Sequence, residues 1–248
     1  MIATIPEHHT LRVESLALPC CMAVQHVCRS VSPHPHEWIE LLVRAQGDMA
    51  HLSPLDFVER GYRRRGLFFD QDIFSSCLDA VGAFSDTTWF SVNIHPSSLH
   101  RERFVEFVRA ELASRGIDPT RLILELVEFG GPVNLMASRS AIEELRNDGI
   151  RFALDDFGPG FSNIDLIASN LIDFVKLDRS LVRFIDVQSG YTRLIHGLQA
   201  MAEQTDVVLV AEGVETAAQA RVVRQIGIEW IQGFYYSRPE LVEEAERV

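Results

Sequence analysis

The feature that most constrains this chain is a repeating unit of a short apolar run followed by a helical stretch. Apolar runs at 21–27, 38–44, 89–93, 122–126, 151–155, 174–177, 207–211 and 230–234 read as strands. Helices are predicted at a segment opened by Ser53-Pro54, then at 70–84, 101–115, 135–147, 163–170, 191–205 and 216–226. A terminal helix is predicted at 239–248. Gly116, Gly149 and Gly227 stand where three of these helices should stop. Short apolar strands alternating with helices, with no linker between them, imply a mostly parallel sheet in an α/β fold. Eight such units in 248 residues have the rhythm of a (β/α)8, TIM-like barrel. No clear helix separates the first two runs, so a hairpin there would make one strand near the N-terminus antiparallel. A doubly wound open sheet is the alternative, but no Gly-rich fingerprint follows the first strand.

Residues 1–19 are weakly patterned and read as an N-terminal extension or lead-in helix, leaving 20–248 as a single barrel domain. No run approaches the roughly 18 apolar residues of a membrane helix, so no membrane segment is expected. Glu7 and Glu14, with no basic cluster before an apolar stretch, do not make a signal peptide. Cys20, Cys21, Cys28 and Cys77 show no CxxC spacing and fit reduced thiols in a cytoplasmic protein. The formal charge of −12 disfavours polymeric nucleic acid as a partner. Among the 23 basic residues only Lys176 is a lysine, which suggests a place where a guanidinium would not serve.

On a barrel of this kind the functional site lies at the C-terminal ends of the strands. The second run carries Glu40 and ends at Arg44; the third ends at Asn93; the fourth carries Glu125, with Glu128 beyond it. The fifth ends at Asp155-Asp156, the sixth at Lys176 and Asp178, the seventh at Glu212 with Glu215 after it, and the last contains Gln232. Singly, each has a plainer reading. Glu40 and Glu125 could pair with buried arginines, Asn93 could cap a turn, His95 could be a turn residue, and Glu212-Gly213 could be a turn. His34-Pro35-His36 reads as a solvated loop. Jointly, so many carboxylates at one rim would repel unless a cation lay among them. Carboxylates with one amide oxygen are hard ligands that suit Mg²⁺ or Mn²⁺ better than zinc. Metal-assisted phosphodiester hydrolysis fits, although enolase-like or aldolase-like chemistry uses similar groups.

These motifs resemble the EAL-domain cyclic di-GMP phosphodiesterases over roughly 24–239. The matching residues are Glu40-Leu41-Leu42-Val43-Arg44, Asn93, Glu125-Leu126-Val127-Glu128, Asp155-Asp156-Phe157-Gly158, Lys176-Leu177-Asp178, Glu212-Gly213-Val214-Glu215 and Gln232-Gly233. The resemblance implies a barrel with one antiparallel strand, hydrolysing cyclic di-GMP to linear pGpG with two Mg²⁺ or Mn²⁺ ions per site. It implies Glu40, Asn93, Glu125 and Asp155 as ligands of one ion. Asp155, Asp156 and Glu212 would hold the other, with Asp178 close by. Lys176 would position water and Glu212 act as general base, with Glu215 among the catalytic set. Glu128 would anchor the loop after Asp156, which joins the site to a homodimer interface. Gln25, Leu42, Arg44 and Gln232 would contact the dinucleotide.

Several positions depart from the family pattern. Leu41 replaces an alanine, Gln25-His26-Val27 replaces Gln-Pro-Ile, and within Phe57–Leu67 Glu59-Arg60-Gly61-Tyr62-Arg63-Arg64-Arg65 stands where an Ala-Glu pair is usual. Pro159 and Phe161 alter the loop. No sensor or GGDEF-type segment precedes the domain, which reads as a standalone or trimmed unit. A degenerate module that binds cyclic di-GMP or a protein partner without turnover is the alternative; such members lose ligands or the lysine, and this chain keeps them all.

Overall fold

The computed structural model describes residues 19–31, 37–127, 135–158 and 164–242, with no side-chain description for Glu102 and Leu135. The strands are β1 (Cys20–Arg29), β2 (Trp38–Ala45), β3 (Trp89–Ile94), β4 (Leu122–Leu126), β5 (Arg151–Phe157), β6 (Phe174–Leu177), β7 (Val208–Ala211), β8 (Trp230–Gln232) and β9 (Glu240–Leu241). The helices are α1 (Pro54–Arg65), α2 (Phe68–Val81), α3 (Pro96–Leu99), α4 (Glu102–Arg115), α5 (Arg139–Asn147), α6 (Ile164–Ala168), α7 (Arg179–Val182), α8 (Ser189–Gln204) and α9 (Ala217–Ile226). No described helix is long and apolar enough to cross a membrane.

Strands β2 to β8 are parallel neighbours in chain order, and β1 closes the ring by pairing antiparallel with both β2 and β8. The barrel is therefore the expected (β/α)8-like closure with one reversed strand. The cause is connection length: residues 30–37 are too few for the crossover helix that a parallel pair needs.

Helix termini follow the local chemistry. Ser53 caps α1 by accepting from the Asp56 N–H, with Pro54 at the first turn. Thr216 and Gln219 form a reciprocal capping box on α9. Gly116 and Gly227 stop their helices in the left-handed conformation, at φ of 64° and 94°. The single-turn helices α3 and α7 are not legible as apolar periodicity. Each is seeded by a side-chain acceptor: His95 takes the Ser97 N–H and Asp178 the Ser180 N–H. The turn after β3 is thus capped by His95, not by Asn93.

The predicted terminal helix at 239–248 is corrected: Glu240–Leu241 form a strand that pairs antiparallel with Ala23–Val24. β8 covers only Val27–Arg29 of that edge of β1, and β9 takes unpaired backbone groups beyond it. Residues 243–248, the extension at 1–18 and the His34-Pro35-His36 turn lie outside the described residues.

Three apolar clusters hold the described residues, the smallest of them Phe57 packed on Phe69 between α1 and α2. The largest lies between strands and helices and includes Leu41, Phe90, Leu124, Phe152 and Val175. A second is inside the barrel: Val27, Trp38, Ile123, Ala153, Phe174, Val210 and Trp230, with Trp89 against it. Trp38 packs on Phe174 and Trp230 at centroid distances of 4.8 and 5.5 Å. Fully burying a side chain such as Ile123, 0% exposed, contributes roughly 1.5–3 kcal/mol. This aromatic floor plugs one end of the barrel and dictates what lies above it.

Candidate active site

Side chains two apart on a strand share a face. Two residues on from the floor residues Trp38, Ile123, Ala153, Phe174, Val210 and Trp230 come Glu40, Glu125, Asp155, Lys176, Glu212 and Gln232. β1 runs the other way, so its equivalent of Val27 is Gln25, two residues earlier, and Gln25 stands opposite Glu40 in the β1–β2 register. A polar layer therefore lies directly on an apolar floor. Leu41, of opposite parity, is buried in the outer cluster. Its added volume relative to alanine falls outside the carboxylate layer.

Lys176 is the centre of that layer, only 1% exposed. Its Nζ lies 2.6 Å from Glu125 Oε2, 2.8 Å from Glu212 Oε1, 3.2 Å from Glu40 Oε2 and 3.4 Å from Asp155 Oδ1. An ammonium has three N–H donors and cannot satisfy four carboxylates; Asp155 Oδ1 is left without a hydrogen bond. The buried glutamates thus pair with the sole lysine, and not with arginines as their single-residue reading allowed.

Glu40 is the best-satisfied acid. Asn93 Nδ2 donates to its Oε1 at 3.0 Å, and Gln232 Nε2 to its Oε2 at 2.6 Å. Gln232 Nε2 also reaches Gln25 Oε1 at 3.2 Å, and Gln25 Nε2 donates to the Ser237 carbonyl. Burial works to raise the Glu40 carboxyl, but Lys176 and these donors outweigh it and hold it below the ordinary range. Its neighbours go the other way. Burial, then the charge of Glu40, pushes Glu125 up to about 8. Burial, then Asp155 and Asp178, pushes Asp156 up to about 6. Burial also raises Asp155 and Glu212 against the pull of Lys176. Lys176 itself is held protonated by the four carboxylates, despite its burial.

Asp155 and Asp156 present a geometric difficulty, since adjacent strand residues point to opposite faces. The structure resolves it with an irregularity. The β5–β6 register shifts between Leu154 and Phe157, and Asp156 takes φ of 51°. Aspartate tolerates that conformation better than most residues. Ligand oxygens of Asp155, Asp156 and Glu212 consequently lie within 4.8 Å of one another.

The remaining predicted residues fall around this centre. Asp178 caps α7 with Oδ1 and acts electrostatically on Asp156. Glu215 is exposed at the rim of a cavity of about 290 Å³ that Gln25, Lys176, Asp178, Glu212, Gln232 and Phe234 also line. Leu42 and Arg44 line an adjoining cavity of about 390 Å³, which shares Glu40, Asp155 and Asp156 with the first. Glu128, Pro159, Gly160 and Phe161 lie outside the described residues. Arg63 and Arg65 are ion-paired with Glu59 and Asp72 on α1 and α2.

Sequence reasoning missed Tyr62 and Asp70, which line the second cavity from α1 and α2. A buried aspartate inside a helical apolar pattern was the available signal. Ser91, which belongs to the matching motif around Asn93 but was given no role, sits in the polar layer and accepts from Trp38 Nε1–H at 3.0 Å.

The donor set can be tested against a cation. Buried Oδ1 of Asn93, Oε1 of Glu125 and Oδ1 of Asp155 each lack a hydrogen bond among the described residues. Orphaned buried oxygens are costly unless something positive meets them. All are hard oxygen ligands, which fits a divalent cation of the Mg²⁺, Mn²⁺ or Ca²⁺ kind.

A family model described as EAL domain matches residues 25–239. Among curated proteins, an uncharacterized signaling protein of Caulobacter vibrioides is 30% identical over 195 residues, covering 77% of this chain and 24% of that protein. The cyclic di-GMP phosphodiesterase NbdA of Pseudomonas aeruginosa is 33% identical over 149 residues, covering 60% of this chain and 19% of that protein. The chain thus spans 24% or less of the length of these two curated relatives. Among solved structures, a Klebsiella pneumoniae BlrP1 complex with calcium and cyclic di-GMP superposes with a TM-score of 0.81 at 25% identity. That match covers 96% of this chain and 59% of the other. A standalone EAL protein of Vibrio cholerae, in a cyclic di-GMP-bound form, gives a TM-score of 0.81 at 22% identity. It covers 92% and 95% of the two chains and shows likeness of fold.

Proposed function

The chain belongs to the EAL-domain family, and from that premise we propose that it hydrolyses cyclic di-GMP to linear pGpG in a metal-dependent reaction. One observation carries the reading: a protonated lysine buried beneath a cluster of carboxylates, where buried Asn93 Oδ1 and Glu125 Oε1 accept no hydrogen bond among the described residues. Glu40, Asn93, Glu125 and Asp155 would hold one divalent ion; Asp155, Asp156 and Glu212 would hold the other. Bound there, Mg²⁺ or Mn²⁺ supplies Lewis acidity toward a phosphoryl oxygen and lowers the pKa of water.

The chain's own groups do the rest. Lys176 keeps positive charge under the reacting phosphate and orients the attacking water. Glu212, whose Oε1 lies 2.8 Å from Lys176 Nζ, would accept the water proton as general base. The new P–O bond forms as the P–O3′ bond breaks, and the proton goes to O3′, giving one 5′-phosphate and one 3′-hydroxyl. Leu42 and Arg44 on one side, with Gln25 and Gln232 on the other, line two joined cavities suited to a two-base ligand. The same reading carries a homodimer and a cytoplasmic location.

Incubation of the protein with cyclic di-GMP and Mn²⁺ or Mg²⁺, followed by chromatography of the products, tests it. pGpG is expected without chelator and not with excess chelator. Tight binding with no pGpG in either arm would replace this reading with the receptor alternative.

The shifted carboxyls predict how ion binding responds to pH. In the metal-free protein Glu125 holds a proton below about 8 and Asp156 below about 6. A proton must leave each oxygen that ligates, so affinity falls as pH falls. The Mn²⁺ Kd from calorimetry should rise by up to about tenfold per pH unit as pH falls below about 8, through Glu125, and more steeply below about 6, where Asp156 adds a second proton. A Kd flat from pH 8 to pH 6 would show that Glu125 is not a ligand, and one flat from pH 6 to pH 5 that Asp156 is not.

A further inference from the structure

Asn93 is the one neutral member of the ligand set, and it stands one residue before the end of β3. Its Nδ2 is spent on Glu40, so its orphaned Oδ1 can meet a cation only if the backbone beyond it is held. The barrel holds one side through the Asn93–Glu125 register. On the other side a carboxylate from outside the barrel holds the turn, alongside Ser138 Oγ on the Pro96 carbonyl.

Asp70 on α2 is 3% exposed and lies in the wall of the cavity that Asn93 also lines. Its Oδ2 accepts the His95 N–H at 3.1 Å and the Ser98 hydroxyl; its Oδ1 accepts the Tyr62 hydroxyl from α1. The Tyr62 ring also meets the His95 ring edge-on, with centroids 5.6 Å apart. Two donors therefore come from the turn that follows Asn93, and the third ties that turn to α1. Packing alone would be served as well by an apolar residue, since burying a carboxylate costs more than it returns unless geometry is what it secures. Outer groups that orient ligands are a common means of tuning an ion site.

We infer that Asp70 is a positioning residue, which pins the turn after β3 so that the Asn93 oxygen stays aimed at an ion, and that Tyr62 and Ser98 serve through it. This deepens the metal-dependent reading above and rests on Asn93 being a ligand. Asp155, Asp156 and Glu212 come from other strands, so the second ion should be indifferent to Asp70.

Mn²⁺ titration of the chelator-treated protein, followed by calorimetry and electron paramagnetic resonance, tests this. Wild type is expected to bind two ions. Asp70→Ala should weaken one of them at least tenfold, leave the other unchanged, and accelerate amide exchange at His95. Asp70→Asn should restore both ions, because the amide oxygen can still accept from His95 and Ser98 while its NH₂ turns to the Tyr62 oxygen. Ser98→Ala, which removes only one donor, should weaken the same ion about threefold and keeps the test available if Asp70→Ala does not fold. Two ions with wild-type affinities in Asp70→Ala, or in Ser98→Ala should Asp70→Ala not fold, would overturn the inference, as would equal weakening of both. Absence of Mn²⁺ binding in wild type would instead overturn the metal reading itself.

Discussion

Glu40→Ala is expected to abolish hydrolysis of cyclic di-GMP while the barrel remains folded. Glu40 is the acceptor on which Asn93, Gln232 and Lys176 converge, and its carboxyl alone among the layer is held low. Its removal would delete an oxygen proposed to hold an ion and would free the Asn93 and Gln232 amides to turn elsewhere. Loss of an ion that stabilises transition-state charge costs several kcal/mol, so turnover should fall by about a thousandfold or more, or ~4 kcal/mol. Stability should change far less. Asn93 loses its acceptor, at roughly 1–3 kcal/mol, while Gln232 and Lys176 keep Gln25 and Glu125, and the charge that raises Glu125 and works against Asp155 and Glu212 is also removed. pGpG formation at saturating Mn²⁺, alongside circular dichroism, decides the matter. Activity within tenfold of wild type would mean that Glu40 is structural.

Lys176→Ala should be equally inactive and, unlike Glu40→Ala, clearly less stable. Four carboxylates within 3.4 Å would lose their shared cation. Breaking a buried ion cluster by removing one partner costs about 3–5 kcal/mol, which corresponds to a Tm lower by roughly 6–20 °C for a chain of this size. The sign of the pH dependence follows from the raised carboxyls. They take protons more readily folded than unfolded, so the protonated cluster is favourable at low pH and the advantage disappears as pH rises. The Tm deficit relative to wild type should therefore widen from pH 6 to pH 8. Mn²⁺ should restore much of the Tm by supplying positive charge, yet not the turnover. Recovery of both would show that Lys176 serves only to neutralise the carboxylates.

The fold and much of the site were legible because a barrel strand carries its message at period two. Trp38 and Glu40, Phe174 and Lys176, or Trp230 and Gln232 can each be read from the chain alone as a floor residue and the polar residue above it. The single-turn helices were not legible, since four residues such as Pro96–Leu99 carry no helical period and depend on an acceptor at His95. The strand at Glu240–Leu241 was read as helix because nothing local to it reveals that β8 leaves part of β1 uncovered.

Asp155-Asp156 marks where the two kinds of information divide. Sequence alone determined that paired carboxylates, a lone lysine and an asparagine gather at one end of an eight-stranded barrel, since alternation and chain order require it. Only the tertiary structure decided that adjacent aspartates could face the same way, through a shifted β5–β6 register and a positive φ at Asp156. It alone placed Asp70 behind Asn93, because that contact joins a helix to a turn more than twenty residues away and follows from packing, not from any local pattern.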